Sequence, residues 1–127
     1  MSDTILGLGT DLVELPRFRL AMSRRVNFET KLFSPQEQEY SNRYKDPAPR
    51  FAARFAAKEA VMKALGVGLG AFPLRDVEVE RARSGAPSVR LYGKAAAIAE
   101  KRGVREWRLS LTHSSETAMA VAIAIGD

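Results

Sequence analysis

Runs of alternating apolar residues near both ends of the chain predict β-strands. Ser114, Ser115 and Glu116 separate two such runs near the C-terminus, and two strands joined by so short a polar segment predict a β-hairpin. The predicted strands cover Ile5–Leu15, the alternating region of Val77 and Val79, Val89–Tyr92, Trp107–Thr112 and Thr117–Ile125.

Helical spacing and helix-capping residues predict helices in the middle of the chain. Ser34 can cap a helix, Pro35 suits the first helical position, and Glu37 completes a capping box. The longest predicted helix holds six alanines and no helix breaker, and Gly66 follows it as a natural stop. The predicted helices cover Arg17–Arg25, about 35–44, Arg50–Leu65 and Lys94–Lys101.

The order of these elements predicts the fold class. One strand is followed by several helices and then by a β-β-α-β-β arrangement, without an internal repeat or a linker. This order predicts a single α+β domain over residues 1–127, with a mostly antiparallel sheet packed against helices.

The composition is typical of one folded domain and excludes cysteine chemistry. The 127 residues are 46% hydrophobic and 28% charged, and none is a cysteine, so disulfides, thiolate metal sites and cysteine nucleophiles are excluded. Because the sequence has neither a secretory signal nor an apolar run long enough to cross a bilayer, we expect a cytoplasmic protein without membrane contact.

The net charge of +5 favours an anionic partner. Nucleic acid, an anionic membrane, a polyphosphate ligand and an acidic protein all satisfy that charge. The sequence shows no block of Lys and Arg interleaved with exposed aromatic residues, a pattern that would favour single-stranded nucleic acid. A small basic nucleic-acid-binding module nevertheless stays open as an alternative.

The long helix carries the first candidate site. Arg54 and Lys58 lie four residues apart, a spacing at which like charges repel unless an anion lies between them. One interpretation is structural, with Lys58 reaching past apolar neighbours to solvent and Glu59 pairing with Lys63. The other interpretation is a cationic phosphate site formed by Arg54, Lys58 and Lys63 beside one carboxylate.

Asp11 and His113 are the next candidates. Asp11 interrupts an apolar strand, and a partly buried carboxylate must be hydrogen-bonded, paired or metal-bound. It is either a turn residue or, together with Glu59, part of a Mg²⁺ site, because Mg²⁺ commonly takes one or two carboxylates plus substrate phosphate oxygens. His113 is the only histidine and is either a structural residue or a ligand contact.

Three segments resemble the motifs of the holo-acyl-carrier-protein synthases, the small type of 4′-phosphopantetheinyl transferase. The opening motif corresponds to Gly7–Glu14, the second to Arg54–Gly66, and the closing hairpin to Ser110–Ser114 followed by Ala118 and Ala120. The motifs occur in order at the start, middle and end, so the resemblance spans essentially the whole chain.

The resemblance implies transfer of 4′-phosphopantetheine from coenzyme A to a serine of acyl carrier protein, in support of fatty acid biosynthesis. It implies that Asp11 and Glu59 hold Mg²⁺. For the transfer itself we expect Glu59 to act as the base, directly or through a metal-bound water, and Lys63 to stabilise charge on the leaving side. It also implies a homotrimer with coenzyme A bound between subunits. The residues expected to contact coenzyme A are Arg54, Lys63, Gly66, Gly68 and His113.

The partner implied by the resemblance, acyl carrier protein, is acidic, so the surface of this chain that contacts it should be basic. Arg17, Arg24 and Arg25 share roughly one face of the first predicted helix and form the expected docking surface, while Phe18 and Leu20 are expected to point inward.

Two departures from the family pattern accompany the resemblance. Val67 stands where family members often have threonine, and Asp46-Pro47 occupies the region where basic residues are expected to bind the 3′-phosphate of coenzyme A. Arg43, Lys45 and Arg50 are the candidates for that role. A catalytically dead subunit is a further alternative, against which the presence of both Asp11 and Glu59 argues.

Overall fold

The computed structural model describes residues 3–127, which form five β-strands and five α-helices. The strands are β1 (Thr4–Glu14), β2 (Val77–Arg81), β3 (Pro87–Leu91), β4 (Val104–His113) and β5 (Thr117–Gly126). The helices are α1 (Leu15–Arg24), α2 (Phe28–Leu32), α3 (Pro35–Asn42), α4 (Ala48–Ala64) and α5 (Gly93–Lys101), with a short 3₁₀ turn at Leu74–Asp76.

All strand pairs among the described residues are antiparallel. A three-stranded sheet has the order β1-β5-β4, and β2 pairs with β3 in a second, two-stranded sheet. The hairpin predicted near the C-terminus is β4–β5, and the predicted α+β class with antiparallel sheets is confirmed. None of the helices described is both long and apolar enough to cross a membrane.

Helix α4 lies across the inner face of the three-stranded sheet at very short range. On β1, a side chain at Gly7 would collide with the carbonyl oxygen of Ala64, and one at Gly9 with that of Ala60. On β5, the inward positions at 118, 120, 122 and 124 are all buried alanines. Only such small residues let the helix backbone approach the sheet so closely, and this approach sets α4 beside the strand that carries Asp11.

Two apolar clusters flank α4 and fix its position. An aromatic cluster joins α4 to the first two helices, where the rings of Phe18 and Phe28 meet edge to face at 5.5 Å and those of Phe33 and Phe51 lie 4.8 Å apart. A larger cluster joins the C-terminal half of α4 to β2, α5 and β5. Helix α4 therefore packs against apolar residues on two sides, which explains why so much of the helix is buried.

Several predicted boundaries were wrong. The first helix begins at Leu15 rather than at Arg17 and ends at Arg24, because Pro16 fits its first turn. Helix α4 begins two residues before the prediction, again with a proline in its first turn. Helix α2 was not predicted, and Leu20 is 50% exposed rather than inward-facing.

Candidate active site

Asp11 and Glu59 line one cleft, from β1 and α4 respectively. Burial raises the pKa of Glu59, and the negative charge of Asp11 raises it further, while the charge of Lys63 acts in the opposite direction. Lys63 Nζ lies 3.2 Å from Asp11 Oδ1 and donates to the carbonyl oxygen of Thr10 at 2.9 Å. The structure thus brings together the two carboxylates and the lysine that the sequence singled out.

The cleft has a volume of about 630 Å³ and combines charged and apolar surface. Arg17 and Arg25 line it together with the carboxylates, whereas Arg24 is exposed on α1 outside its lining. The apolar part of the lining includes Phe18, Phe28, Leu32, Phe55, Leu69 and Leu74. Two of the three predicted docking arginines therefore border the cleft that holds the carboxylates.

Arginines stacked on tyrosines form a second site, which we call the Arg–Tyr cluster (Tyr40, Tyr44, Arg50, Arg54 and Arg81). The guanidinium carbon of Arg54 lies 4.2 Å from the centre of the Tyr40 ring, that of Arg81 5.3 Å from the same ring, and that of Arg50 3.7 Å from the Tyr44 ring. The two tyrosine hydroxyls are hydrogen-bonded at 3.2 Å. Cation–π stacking of this kind holds guanidinium groups in a fixed orientation.

The three arginines of the Arg–Tyr cluster form no ion pair with a carboxylate among residues 3–127. Burial would raise the pKa of Tyr40, but the hydrogen bond with Tyr44 and the charges of Arg81, Arg54 and Arg50 bring it below its ordinary value. Arg54 is only 2% exposed, burial lowers its pKa, and its Nε has no hydrogen-bond partner among the described residues. An anion bound here would satisfy both the charge and the orphaned donor.

His113 lies beside this cluster, and its predicted contact with coenzyme A, like that of Arg54, stays a prediction. A cleft of about 240 Å³ is lined by all five members of the cluster together with Leu111, Thr112 and His113. The inner-face position of His113 at the end of β4, paired with Ala118, points it toward the N-terminal half of α4.

The two sites lie on different sides of α4. Arg54 and Glu59 are five residues apart, which separates them by about 140° around the helix axis. Within the described part of the chain, no residue lines both the carboxylate cleft and the cleft beside His113. The carboxylate cleft and the cleft beside His113 are therefore separate clefts of this chain.

The predicted contacts of Gly66 and Gly68 stay predictions. Gly66 adopts a φ of 71° and donates its amide to the Lys63 carbonyl oxygen at 2.9 Å, which closes the helix. Gly68 is exposed in the loop that follows.

Both interpretations of Lys58 were wrong. Its side chain is fully buried and pairs with Glu37, so it neither reaches solvent nor contributes to a phosphate site. Sequence reasoning also missed Tyr40, Tyr44 and Arg81. The tyrosines carry a usable signal, because two aromatic residues four positions apart on one helix form a ready stacking surface.

The chain closely resembles known enzymes over almost its whole length. Residues 7–122 match the sequence model of the 4′-phosphopantetheinyl transferase superfamily. The holo-[acyl-carrier-protein] synthase of Syntrophus aciditrophicus is 46% identical over 122 residues, which cover 94% of this chain and 95% of the relative.

Solved structures show the same likeness. The acyl carrier protein synthase of Plasmodium yoelii with ADP bound superposes with a TM-score of 0.90 at 31% identity, covering 100% of this chain and 99% of that one. The synthase–CoA complex of Chronobacterium ammoniagenes gives a TM-score of 0.85 at 25% identity, with coverage of 100% and 99%. The chain therefore belongs to the 4′-phosphopantetheinyl transferase superfamily and, within it, to the holo-[acyl-carrier-protein] synthase family of enzymes.

Proposed function

We propose that this chain transfers 4′-phosphopantetheine from coenzyme A to a serine of apo-acyl carrier protein, releases adenosine 3′,5′-bisphosphate and serves fatty acid biosynthesis. The observation that carries the proposal is the cleft lined by Asp11 and Glu59 together with Arg17, in which Asp11 is also contacted by Lys63. The names of the relatives and the coenzyme A bound by the Chronobacterium ammoniagenes synthase support it.

The carboxylate pair fits Mg²⁺. Asp11 and Glu59 supply two oxygen ligands, and no group of three or more His, Asp or Glu side chains suited to a metal occurs among residues 3–127. Mg²⁺ is commonly held by one or two carboxylates, with phosphate oxygens and water completing its shell. Burial and the charge of Asp11 both raise the pKa of Glu59, and a divalent cation bound between the two carboxylates would favour the charged form of each. When bound, the ion would offset negative charge on the pyrophosphate.

The residues of the cleft suit in-line transfer. The serine oxygen attacks the phosphorus that bears pantetheine, and the bond from that phosphorus to the oxygen of the departing bisphosphate breaks. Glu59 lines the cleft and accepts the serine proton, directly or through a water molecule. Lys63 stabilises negative charge on the departing phosphate, to which its half-exposed ammonium has access.

The nucleotide end of coenzyme A requires a separate cationic surface, and the Arg–Tyr cluster provides one. Arg54, which belongs to the cluster, lines the same cleft as His113. The stacked guanidinium groups of the cluster are pre-oriented for phosphate oxygens. The Arg–Tyr cluster and the carboxylate cleft lie on different sides of α4. We therefore propose that coenzyme A binds between two neighbouring subunits and contacts the cluster of one subunit and the carboxylate cleft of the other.

An apolar sheet face supports the homotrimer that this arrangement needs. On the outer face of the three-stranded sheet, Leu8 is 61% and Leu12 is 62% exposed, and they pair in register with Ile123 and Met119. An exposed apolar surface of this kind marks a site of association. We propose that neighbouring subunits cover it in a trimer.

Helix α1 supports docking of an acidic carrier protein. Arg17, Arg24 and Arg25 are exposed there, and Leu20 and Val26 add exposed apolar surface at 50% and 80%. A basic surface with a few apolar contacts steers an acidic partner and then holds it briefly.

The experiment that tests the proposal measures transfer to apo-carrier protein by Asp11→Asn and Glu59→Gln. Each variant should lose at least about a hundredfold in kcat/KM and stay folded, because each removes a ligand charge without a change in shape. Glu116→Gln is the matched control, since that exposed carboxylate lies in the β4–β5 turn away from the cleft. Near-normal transfer by either cleft variant at saturating Mg²⁺ would remove that residue from the site.

A further inference from the structure

The Glu37–Lys58 ion pair is completely buried and joins four parts of the fold. Lys58 Nζ lies 2.9 Å from Glu37 Oε1 and also donates to the carbonyl oxygens of Leu74 (3.3 Å) and Val77. Glu37 in turn accepts from the amides of Ser34 (2.8 Å) and Val79 (2.9 Å). The pair thus ties together α3, α4, the 3₁₀ turn and β2.

Stability alone is a poor explanation for this pair. Burial lowers the pKa of Lys58, an effect that the charge of Glu37 opposes. A buried ion pair is often no more stabilising than an apolar pair of similar size, because both charges give up their hydration. The pair does fix the relative positions of the elements around it, since each of its hydrogen bonds holds one element at a definite distance and angle.

Three of the four elements that meet at the pair, namely α3, α4 and β2, also carry members of the Arg–Tyr cluster. Tyr40 follows Glu37 by about one turn of α3, Arg54 precedes Lys58 by about one turn of α4, and Arg81 follows Val79 by two positions on β2. Helix and strand periodicity therefore place all three side chains on the same side of the ion pair.

Arg54 depends on this arrangement for its position. Among the described residues it has no carboxylate partner, and its one hydrogen bond is a long one of 3.5 Å from Nη1 to the Arg50 carbonyl oxygen. The guanidinium group of Arg54 is held mainly by the ring of Tyr40. Because Tyr40 lies on α3, the position of this guanidinium group depends on the position of α3. The charge of Glu37 also acts favourably on the Arg54 cation.

We infer that Glu37 and Lys58 are positioning residues that hold α3 and β2 against α4, so that Tyr40 and Arg81 present Arg54 to the nucleotide end of coenzyme A. The inference rests on the proposed function and assigns a role to residues outside the carboxylate cleft.

The double variant Glu37→Gln/Lys58→Met tests the role. Glutamine can keep the capping box and accept from Val79, and methionine fills the apolar space beside Phe33, so the fold should survive. The lost bonds to Leu74 and Val77 should loosen the Arg–Tyr cluster. We expect affinity for adenosine 3′,5′-bisphosphate, measured by calorimetry, to fall about tenfold or more, since small misplacements of binding groups are costly.

The kinetic signature separates positioning from general loosening. KM for coenzyme A should rise by a similar factor, whereas kcat and KM for carrier protein should stay within about twofold. Glu106→Gln is the matched control, because it breaks a surface ion pair with Arg108 on β4, lines neither the carboxylate cleft nor the cleft beside His113, and should leave both substrates unaffected. If the double variant does not fold, Glu37→Asp alone carries the test, since the shorter side chain keeps the charge but draws the carboxylate back from Lys58 and from the Val79 amide.

Two results would overturn the inference. One is a folded variant that binds the bisphosphate with wild-type affinity, and the other is an equal loss toward coenzyme A and carrier protein. Wild-type protein that does not bind the bisphosphate would instead refute the proposed function on which the inference rests.

Discussion

Two inactive variants of this chain should restore activity to each other when they assemble in one trimer. Asp11→Asn disables the carboxylate cleft, and Arg54→Gln disables the Arg–Tyr cluster on the other side of α4. If each active site combines the cleft of one subunit with the cluster of its neighbour, a mixed interface can contain two intact halves.

The expected recovery follows from counting interfaces. Each cyclic trimer that contains both variants has one complete interface out of three, because only one interface joins an intact cleft to an intact cluster. Activity of the mixed trimers should therefore reach about a third of the wild-type value per site. Each variant alone should show almost none, because all of its sites lack the same half.

The assay uses two variants co-expressed with different affinity tags, purified through both tags and tested for transfer to apo-carrier protein. Co-expression of Asp11→Asn with Glu59→Gln is the control, since both changes lie in the same half and no interface becomes complete. Failure of the Asp11→Asn and Arg54→Gln pair to recover activity, with trimers present, would refute the composite site.

Three further outcomes are expected. Charge reversal by Arg17→Glu with Arg24→Glu should raise KM for carrier protein about tenfold and leave KM for coenzyme A unchanged. Steady-state kinetics at two salt concentrations is the check, because added salt should reduce the difference between the variant and the wild type. Leu12→Lys places a charge in the apolar sheet face and should reduce the mass seen by light scattering from about three times 14.0 kDa to 14.0 kDa; an unchanged trimer would exclude this face. Gly9→Ala should lower the free energy of unfolding by about 1–3 kcal/mol or more in urea titration, because the added methyl collides with the Ala60 carbonyl oxygen, and unaltered stability would contradict the close packing of α4.

Local signals were read correctly from the sequence. The capping box at Ser34 and Glu37 forms with both of its hydrogen bonds, at 2.8 and 3.2 Å, because its partners are only three residues apart. The β4–β5 hairpin is likewise a short-range feature. Short helices such as α2 give no such signal, since five residues cannot show a helical period.

The features that could not be predicted depend on contacts between residues that are far apart in the sequence. The same Glu37 that caps α3 is also the partner of Lys58, which lies 21 positions further along the chain. A single sequence shows a lysine among apolar neighbours but not the carboxylate that folding brings to it. Arg81 joins the Arg–Tyr cluster only because β2 packs against α3 and α4, so its role became visible only in three dimensions.

Transfer of phosphopantetheine from coenzyme A to a carrier-protein serine is tested most directly by mass spectrometry of an apo-acyl carrier protein incubated with the chain, coenzyme A and Mg²⁺. The carrier should gain the mass of one phosphopantetheine group, an equal amount of adenosine 3′,5′-bisphosphate should appear, and Asp11→Asn should abolish both. An unchanged carrier mass with folded wild-type protein, or equal modification by Asp11→Asn, would contradict the proposed transfer.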